Sequence, residues 1–496
     1  MLPSFNSEVD NESRVSGAEL DHGMKKTVLG AACQIRLQKQ FPQLDFLRGI
    51  AESLSRVPQL TRKLTSRSGQ KYSWTILCQL IALFGSIFTM RIAAHILGTR
   101  GFGEYSIARR GMAIVGFTLL LSMNSGLSRY VSLYSSSRSS RSPLAYLLGA
   151  VGLGFLTTGF FAAFVFAAPN VVSSILFGQR VSHLVIYAIL AAVAGTILQA
   201  LAEAYYRGHL RMYAANTCTL LCGAVLPIIS AASARGSVSR LIFVLGFSIA
   251  GVALVFLLGA LRSVTWADLR AARPLVAARD LTVFGIPRIG GEFAWFGLFS
   301  LPTIIVAHRA GIEIAGYFSF SVSLIQLITT CFTGIGLVLL PHFSKMIACG
   351  RNAEMARLIN TMLWGCICLA VLAVSVAQLV IGPLIPWFMG AGFESAVPIA
   401  RWLLAGSVPL VVYILLRQPL DAATVWPHNT VNVSIALAVC IALFTWPVTA
   451  RFEGPVMCFS FVVLAGLTVR SWRLVSANAN MPAILTSELA SVETIS

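Results

Sequence analysis

Helix-forming, apolar sequence surrounds the stretch "GIPRIGGEFAW", which carries an arginine and a carboxylate, Arg288 and Glu292. Four residues apart on a helix, they share a face and can pair. At 1.5 Å per residue, Glu292 lies about 16 Å beyond Leu281, near the middle of a bilayer core. A charge at that depth costs about 2.5–3.5 kcal/mol by insertion scales, so those that persist are candidate functional groups. Pro287, Gly290 and Gly291 loosen the backbone around the pair. One reading is a cavity-facing site, with Arg288 attracting phosphate and Glu292 coupling to a proton or sodium ion. The other is a self-neutralised structural pair between helices.

Other charges lie in apolar surroundings. Arg91 falls in the outer third of a predicted first span, where it can line a cavity or snorkel to the interface. Arg109 and Arg110 open a second span and point about 100° apart, so at most one faces a cavity squarely. Arg401 occupies the outer part of a tenth span, where snorkelling is the simpler reading. These five arginines, Arg288, Arg91, Arg109, Arg110 and Arg401, are candidates for binding an anion, and Glu292 for ion coupling. Arginine suits phosphate through bidentate hydrogen bonds. Arg417, Asp421 and Glu203 read as solvated groups at inner helix ends.

The elements that must hold these residues follow from composition. Of 496 residues, 56% are hydrophobic and 11% charged, and the mean hydropathy is +0.78. Soluble domains carry about 25% charged residues, so lipid must replace water as the solvent for most of this chain. The net charge of +18 would suggest nucleic acid in a soluble protein. Here the basic residues fall between apolar runs, so no nucleic-acid partner is expected. The cysteines are scattered within those runs without paired CxxC motifs or a histidine cluster, so no metal, disulfide framework or cofactor is expected.

At about 20 apolar residues per crossing, twelve transmembrane spans are predicted: 74–97, 108–129, 145–168, 182–204, 213–232, 240–262, 281–308, 316–341, 361–384, 395–417, 430–449 and 454–472. Lys and Arg set the orientation. With the N-terminus inside, the outer side holds Arg100, Arg180, Arg235, Arg240, Arg309 and Arg451, while the inner side collects the larger remainder. Both termini are then cytoplasmic. Residues 1–72 read as a polar, partly disordered tail. Within it, "MKKTVLGAAC" has too short an apolar core for a signal. Leu44, Leu47, Ile50, Leu54 and Val57 fit either an amphipathic surface helix over 44–60 or a weakly ordered linker.

The stretch "IAAHILGTRGFGEYS" at Ile92–Ser106 returns as "IVAHRAGIEIAGYFS" at Ile305–Ser319, an offset of 213. The same offset places "YAANT" (Tyr213–Thr217) on "WPHNT" (Trp426–Thr430). An internal repeat is expected: a first six-helix bundle over 73–262, a basic connector over 263–280, a second bundle over 281–472 and a cytoplasmic tail over 473–496. Parallel repeats of this kind are related by an axis along the membrane normal and hold substrate between them. Gly98 and Gly311 permit a tight reversal at the outer turns. His95 and His308 recur together and read as structural groups there.

The stretches "ILGTRGFGEYS", "SGLSRYVSLYS" and "AYYRGHLRMYAANT", with "AGYFSFSVSLIQL", "LLPHFSKM" and "FESAVPIARWLLAGSVPLVV", resemble the polysaccharide flippases of the multidrug, oligosaccharidyl-lipid and polysaccharide exporter (MOP) superfamily. The resemblance covers about residues 70–472. It implies an all-α integral membrane protein with two pseudo-symmetric bundles, in a bacterial inner membrane. It implies a non-enzymatic flippase that moves an undecaprenyl-pyrophosphate-linked oligosaccharide from the cytoplasmic to the periplasmic leaflet for exopolysaccharide or O-antigen assembly. Alternating access would pass through a cationic cavity, with membrane lipids and a polysaccharide polymerase and co-polymerase as partners. A multidrug extruder of the same superfamily and a membrane-embedded polymerase or glycosyltransferase are the alternatives. The chain has no GxxxxGK[ST] phosphate loop, and the segment after its second span lacks the GxxxD…GRR-like pattern of sugar/proton transporters.

Overall fold

The computed structural model describes residues 67–135, 142–262, 272–348, 352–424, 426–447 and 452–478. The expected amphipathic segment at 44–60, most of the polar tail and most of the C-terminal tail lie outside them. Among the described residues every regular element is helical. Eleven of these described helices are long and apolar enough to cross a membrane. The difference from the expected twelve lies in α1, Arg67–Leu119, whose 53 residues would run about 80 Å if straight. They do not run straight. Gly98 has φ 69° and ψ −176°, a conformation open to glycine and hostile to a side chain. Arg109 Nη1 donates to Ser86 Oγ at 2.9 Å across a sequence separation of 23, residues that a straight helix would hold about 35 Å apart. The chain therefore doubles back at Gly98, and α1 supplies the first two of twelve spans.

Helix α2, Met123–Ser135, completes the second span. A break at Leu121 and Ser122 (φ 50° and 58°) separates it from α1. Then come α3 (Pro143–Ala167), the short α4 (Pro169–Phe177) and α5 (His183–Gly208). The fifth span is composite: α6 (Met212–Leu220), a π-helical turn at Leu221–Val225, and α7 (Leu226–Ala232) with Pro227 in its first turn. Helix α8, Val238–Leu261, ends the first half. The second half comprises α9 (Pro274–Ala310), α10 (Ile312–Ala348), α11 (Asn352–Met389), α12 (Ala396–Ala423), α13 (His428–Thr445) and α14 (Glu453–Asn478). Helix α9 starts seven residues earlier than the periodicity placed it, with Pro274 at its first turn, where the missing N–H has no helical partner to lose.

The repeat is visible in the backbone. Gly311, 213 residues after Gly98, has φ 95° and ψ 168°, and it turns α9 into α10 as Gly98 turns the first arm of α1 into the second. Gly103 and Gly316 share the offset and touch one another: a methyl group at Gly316 would lie 2.8 Å from Gly103 Cα. A residue that contacts its own repeat mate sits on the axis relating the halves, as in an isologous interface. The two histidines are exchanged across that axis. His308 of the second half packs on Gly178 of the first, and His95 of the first half on Gly390 of the second. The end of the molecule carrying these turns is called the hairpin end below.

Lipid offers helices no hydrophobic reason to associate, so close packing through small residues takes over. Gly195 and Gly246 join α5 to α8, where an added methyl would come within 2.6 Å of backbone on either side. Gly149 lets α3 meet the start of α9, 2.8 Å from Pro274 O by the same measure. Outward faces are apolar: Phe160 on α3 is 71% exposed and Leu379 on α11 82%. An aqueous surface would not tolerate such stripes, whereas acyl chains match them.

Candidate transport chamber

A cavity of about 680 Å³ lies inside the first half. Its lining comes from both arms of α1 (Ser86, Tyr105, Arg109), from α2 (Asn124, Ser125, Ser128), from α5 (Thr196, Gln199, Glu203, Arg207) and from the π turn and α7 (Cys222, Gly223, Pro227). This cavity lies within the first bundle, and Arg109 links it to the second. Its Nη1 donates to Ser86 and its Nη2 to Ser323 Oγ on α10 at 2.8 Å. Both partners are neutral hydroxyls.

The other end of the lining is polar and balanced. Gln199, Glu203 and Arg207 are spaced four apart on α5, hence on one face. Gln199 Nε2 donates to Glu203 Oε1 at 2.9 Å, and Arg207 Nη2 to Glu203 Oε2 at 2.7 Å. The Glu203 side chain is 12% exposed, so it is a sequestered wall group and not the solvated helix end its position suggested. With Glu203 and Arg207 cancelling, Arg109 leaves the chamber with a positive charge. Such a chamber attracts anions.

The remaining candidates do not converge there. Arg110 is 5% exposed; its Nε donates to Ser319 Oγ at 3.1 Å, and its Nη2 to Ser319 O and Ser323 Oγ at 3.0 and 3.1 Å. It ties the second arm of α1 to α10. Arg91 stacks over Trp387 and Phe388, each 5.1 Å from the guanidinium carbon, a cation–π seat joining α1 to α11. Arg401 is exposed and lies over Gly382 of α11.

Arg288 and Glu292 share a face but take different partners. Arg288 Nη1 donates to Phe284 O at 2.8 Å and its guanidinium stacks 3.8 Å from the Phe284 ring centroid. Glu292 Oε1 accepts from Ser122 Oγ at 2.7 Å, while Oε2 is buried with no hydrogen-bond partner. The expected pair is absent because Phe284, one turn back, offers Arg288 both a ring face and a carbonyl. Ser122 belongs to the break after α1, so Glu292 of the second half holds the distorted part of the second span. Gly285 makes room for it: a methyl there would sit 2.2 Å from Leu121 O. Phe117 and Phe296 stack across the same seam with centroids 3.4 Å apart. Sequence reasoning missed Ser122, Gln199 and Glu203; the series of polar residues at every fourth position in "QALAEAYYRG" is the signal that could have found the α5 wall.

The family model described as polysaccharide biosynthesis protein matches residues 68–347, more than half of the chain. The chain belongs to that family. No curated protein sequence matches it. Among solved structures, it resembles an inward-facing multidrug resistance MATE family transporter of the MOP superfamily (TM-score 0.68, 12% identity), covering 80% of this chain and 96% of that one. It also resembles the lipid II flippase MurJ in an inward closed conformation (TM-score 0.63, 10% identity), covering 82% and 90%. Against an outward-facing MATE family transporter the TM-score is 0.59 at 11% identity, covering 82% and 96%. This member of the polysaccharide biosynthesis family is thus a multi-pass helical membrane protein with the MOP fold. Family and fold together are those of MOP-type transporters and flippases.

Proposed function

We propose that the protein is a flippase that carries an undecaprenyl-pyrophosphate-linked oligosaccharide across the bacterial inner membrane for exopolysaccharide or O-antigen assembly, without catalysing a covalent step. The observation that carries this reading is Arg109. It is a guanidinium in the chamber wall whose partners are two serines, free to exchange a hydroxyl for a pyrophosphate oxygen. A diphosphate carries at least two negative charges, and a desolvated arginine recognises it through paired hydrogen bonds. Asn124, Ser125, Ser128 and Gln199 supply neutral partners for sugar hydroxyls, and the lipid tail stays in the bilayer.

The bundles, taken as 73–262 and 281–472, rock against each other about the axis through Gly103 and Gly316. The higher likeness to the inward-facing relative supports a conformation closed at the hairpin end, which this reading places on the periplasmic side with both termini cytoplasmic. Arg110 and Arg91 hold the closed arrangement, Arg288 and Arg401 contribute positive charge along the path, and Glu292 couples a cation or proton to the break at Ser122. A polysaccharide polymerase and its co-polymerase take the product. Deleting the gene and analysing lipid-linked saccharides tests the assignment. Accumulation on the cytoplasmic leaflet with loss of surface polymer is the expected result. Normal polymer with raised drug sensitivity would instead identify a multidrug extruder, the reading favoured by the MATE-like fold.

A further inference from the structure

We propose that the seam between α2 and α9 binds the phosphate head group of a lipid, bridged by Arg129 of the first half and Arg288 of the second. Both guanidiniums stack on one ring, Phe284. The Arg129 guanidinium carbon lies 5.1 Å from its centroid and that of Arg288 3.8 Å. Those two distances together cap the separation of the cationic carbons at 8.9 Å. Like charges this close repel one another. An anion shared between them replaces the repulsion with two attractions.

The protein supplies no such anion. Among the described residues no carboxylate pairs with either arginine. The acids flanking Arg288 on α9 are engaged elsewhere: Asp280 accepts from Tyr146 Oη at 2.8 Å, and Glu292 Oε1 from Ser122 Oγ at 2.7 Å. The Arg129 side chain makes no hydrogen bond among the described residues, and Arg288 commits only Nη1, to Phe284 O. A ring holds a guanidinium by its face, so the N–H edges stay free for the paired bonds that arginine makes to phosphate.

The support beneath the two cations is fixed. Gly126, three residues before Arg129, lets Phe284 approach α2, since a methyl there would lie 3.1 Å from Phe284 Cδ1. Tyr130 meets the same ring edge-on at 5.9 Å and stacks in turn on Tyr146 at 4.8 Å. Both arginines are nonetheless exposed. The seat is therefore built from the two halves and open to the outside.

Its depth and flanks select a lipid. Phe284 lies 27 residues before the turn at Gly311, about 40 Å of helix against about 30 Å of hydrocarbon. That is head-group level, at the end away from the hairpins. Val283 and Ile286 beside the ring are 66% and 58% exposed, an apolar flank that suits an acyl chain and not a soluble anion. Neither arginine lines the chamber, so this is a second site, and it stands without the flippase assignment. Two lipids carry the required chemistry: an anionic phospholipid of the surrounding leaflet, and a polyprenyl diphosphate.

The test uses the full chain in detergent, examined by native mass spectrometry with added phosphatidylglycerol, undecaprenyl diphosphate, diacylglycerol or inorganic phosphate. The wild type should retain one phosphate-bearing lipid and no diacylglycerol, which has the chains without the phosphate. Arg129→Gln and Arg288→Gln should each weaken retention about tenfold, and the double variant should add little, because one phosphate needs both. Arg240→Gln, which alters an exposed arginine at the hairpin end, should retain lipid as the wild type does. Displacement of phosphatidylglycerol by undecaprenyl diphosphate identifies the occupant as cargo; resistance to it identifies a membrane phospholipid. Absence of a retained lipid, equal retention of diacylglycerol, wild-type retention by the double variant, or ready displacement by inorganic phosphate overturns the proposal. Thermal unfolding gives a second measurement. Phosphatidylglycerol should raise the midpoint of the wild type and not that of the double variant, and an equal rise in both would count against the site. Neither measurement follows transport, so a failed flippase assignment and a failed lipid seat are told apart.

Discussion

Two adjacent arginines make the contrast at the residue scale. Arg109 lines the chamber with hydroxyl partners only, whereas Arg110 is buried in contacts to α10. Arg109→Ala should therefore leave thermal unfolding in detergent nearly unchanged while reducing polymer export about ten- to a hundredfold, the loss of one charge-assisted contact. Arg109→Lys should rescue little, because an ammonium cannot span Ser86 and Ser323 as the planar fork does. Arg110→Ala should reverse the pattern, lowering stability by about 1–3 kcal/mol through unsatisfied buried partners. Glu292→Gln keeps an oxygen for Ser122 and removes the charge. It should retain the fold and lose the ion dependence of export measured in vesicles; unaltered ion dependence would remove Glu292 from coupling. That arginines populate this membrane domain was legible from residue type alone. Which of them reach the chamber was not, because neighbouring positions differ by about 100° of helix rotation and the sequence carries no mark of where a helix faces.

At the scale of elements, breaks and close approaches decide the architecture. The second span was expected to be continuous, but it turns left-handed at Leu121 and Ser122, residues with no glycine or proline to announce the change. Its cause is tertiary: Gly285 admits Leu121 O, and Glu292 captures Ser122. Gly285→Ala should cost about 1–3 kcal/mol by overpacking, and Gly103→Ala should be comparable, since its methyl would meet Ile312 O at 2.3 Å. Gly290→Ala, with nothing within 4 Å, should be neutral or stabilising by about 0.5–1 kcal/mol. Denaturation midpoints of the three variants in one detergent provide the comparison. Equal midpoints would mean that the close approaches at Gly103 and Gly285 are looser than their backbone distances imply.

For the molecule as a whole, the twelve-span, two-bundle plan was readable because hydropathy and a repeated motif both operate over long stretches. The cavity within the first half was not, since it depends on how the helices that line it lean together. Thr99 and Gly392 belong to different halves, and a methyl group at Gly392 would come 2.9 Å from Thr99 Cγ2. Cysteines at both positions should form a disulfide under mild oxidation, since their side chains meet. Export should stop on oxidation and resume on reduction; continued export by the cross-linked protein would exclude movement at the hairpin end. The meeting of Gly103 with Gly316 reaches back in time. When a segment touches its own duplicate, the two copies form a self-complementary surface. It is the contact that two half-length chains would make as a homodimer, joined afterwards by gene fusion.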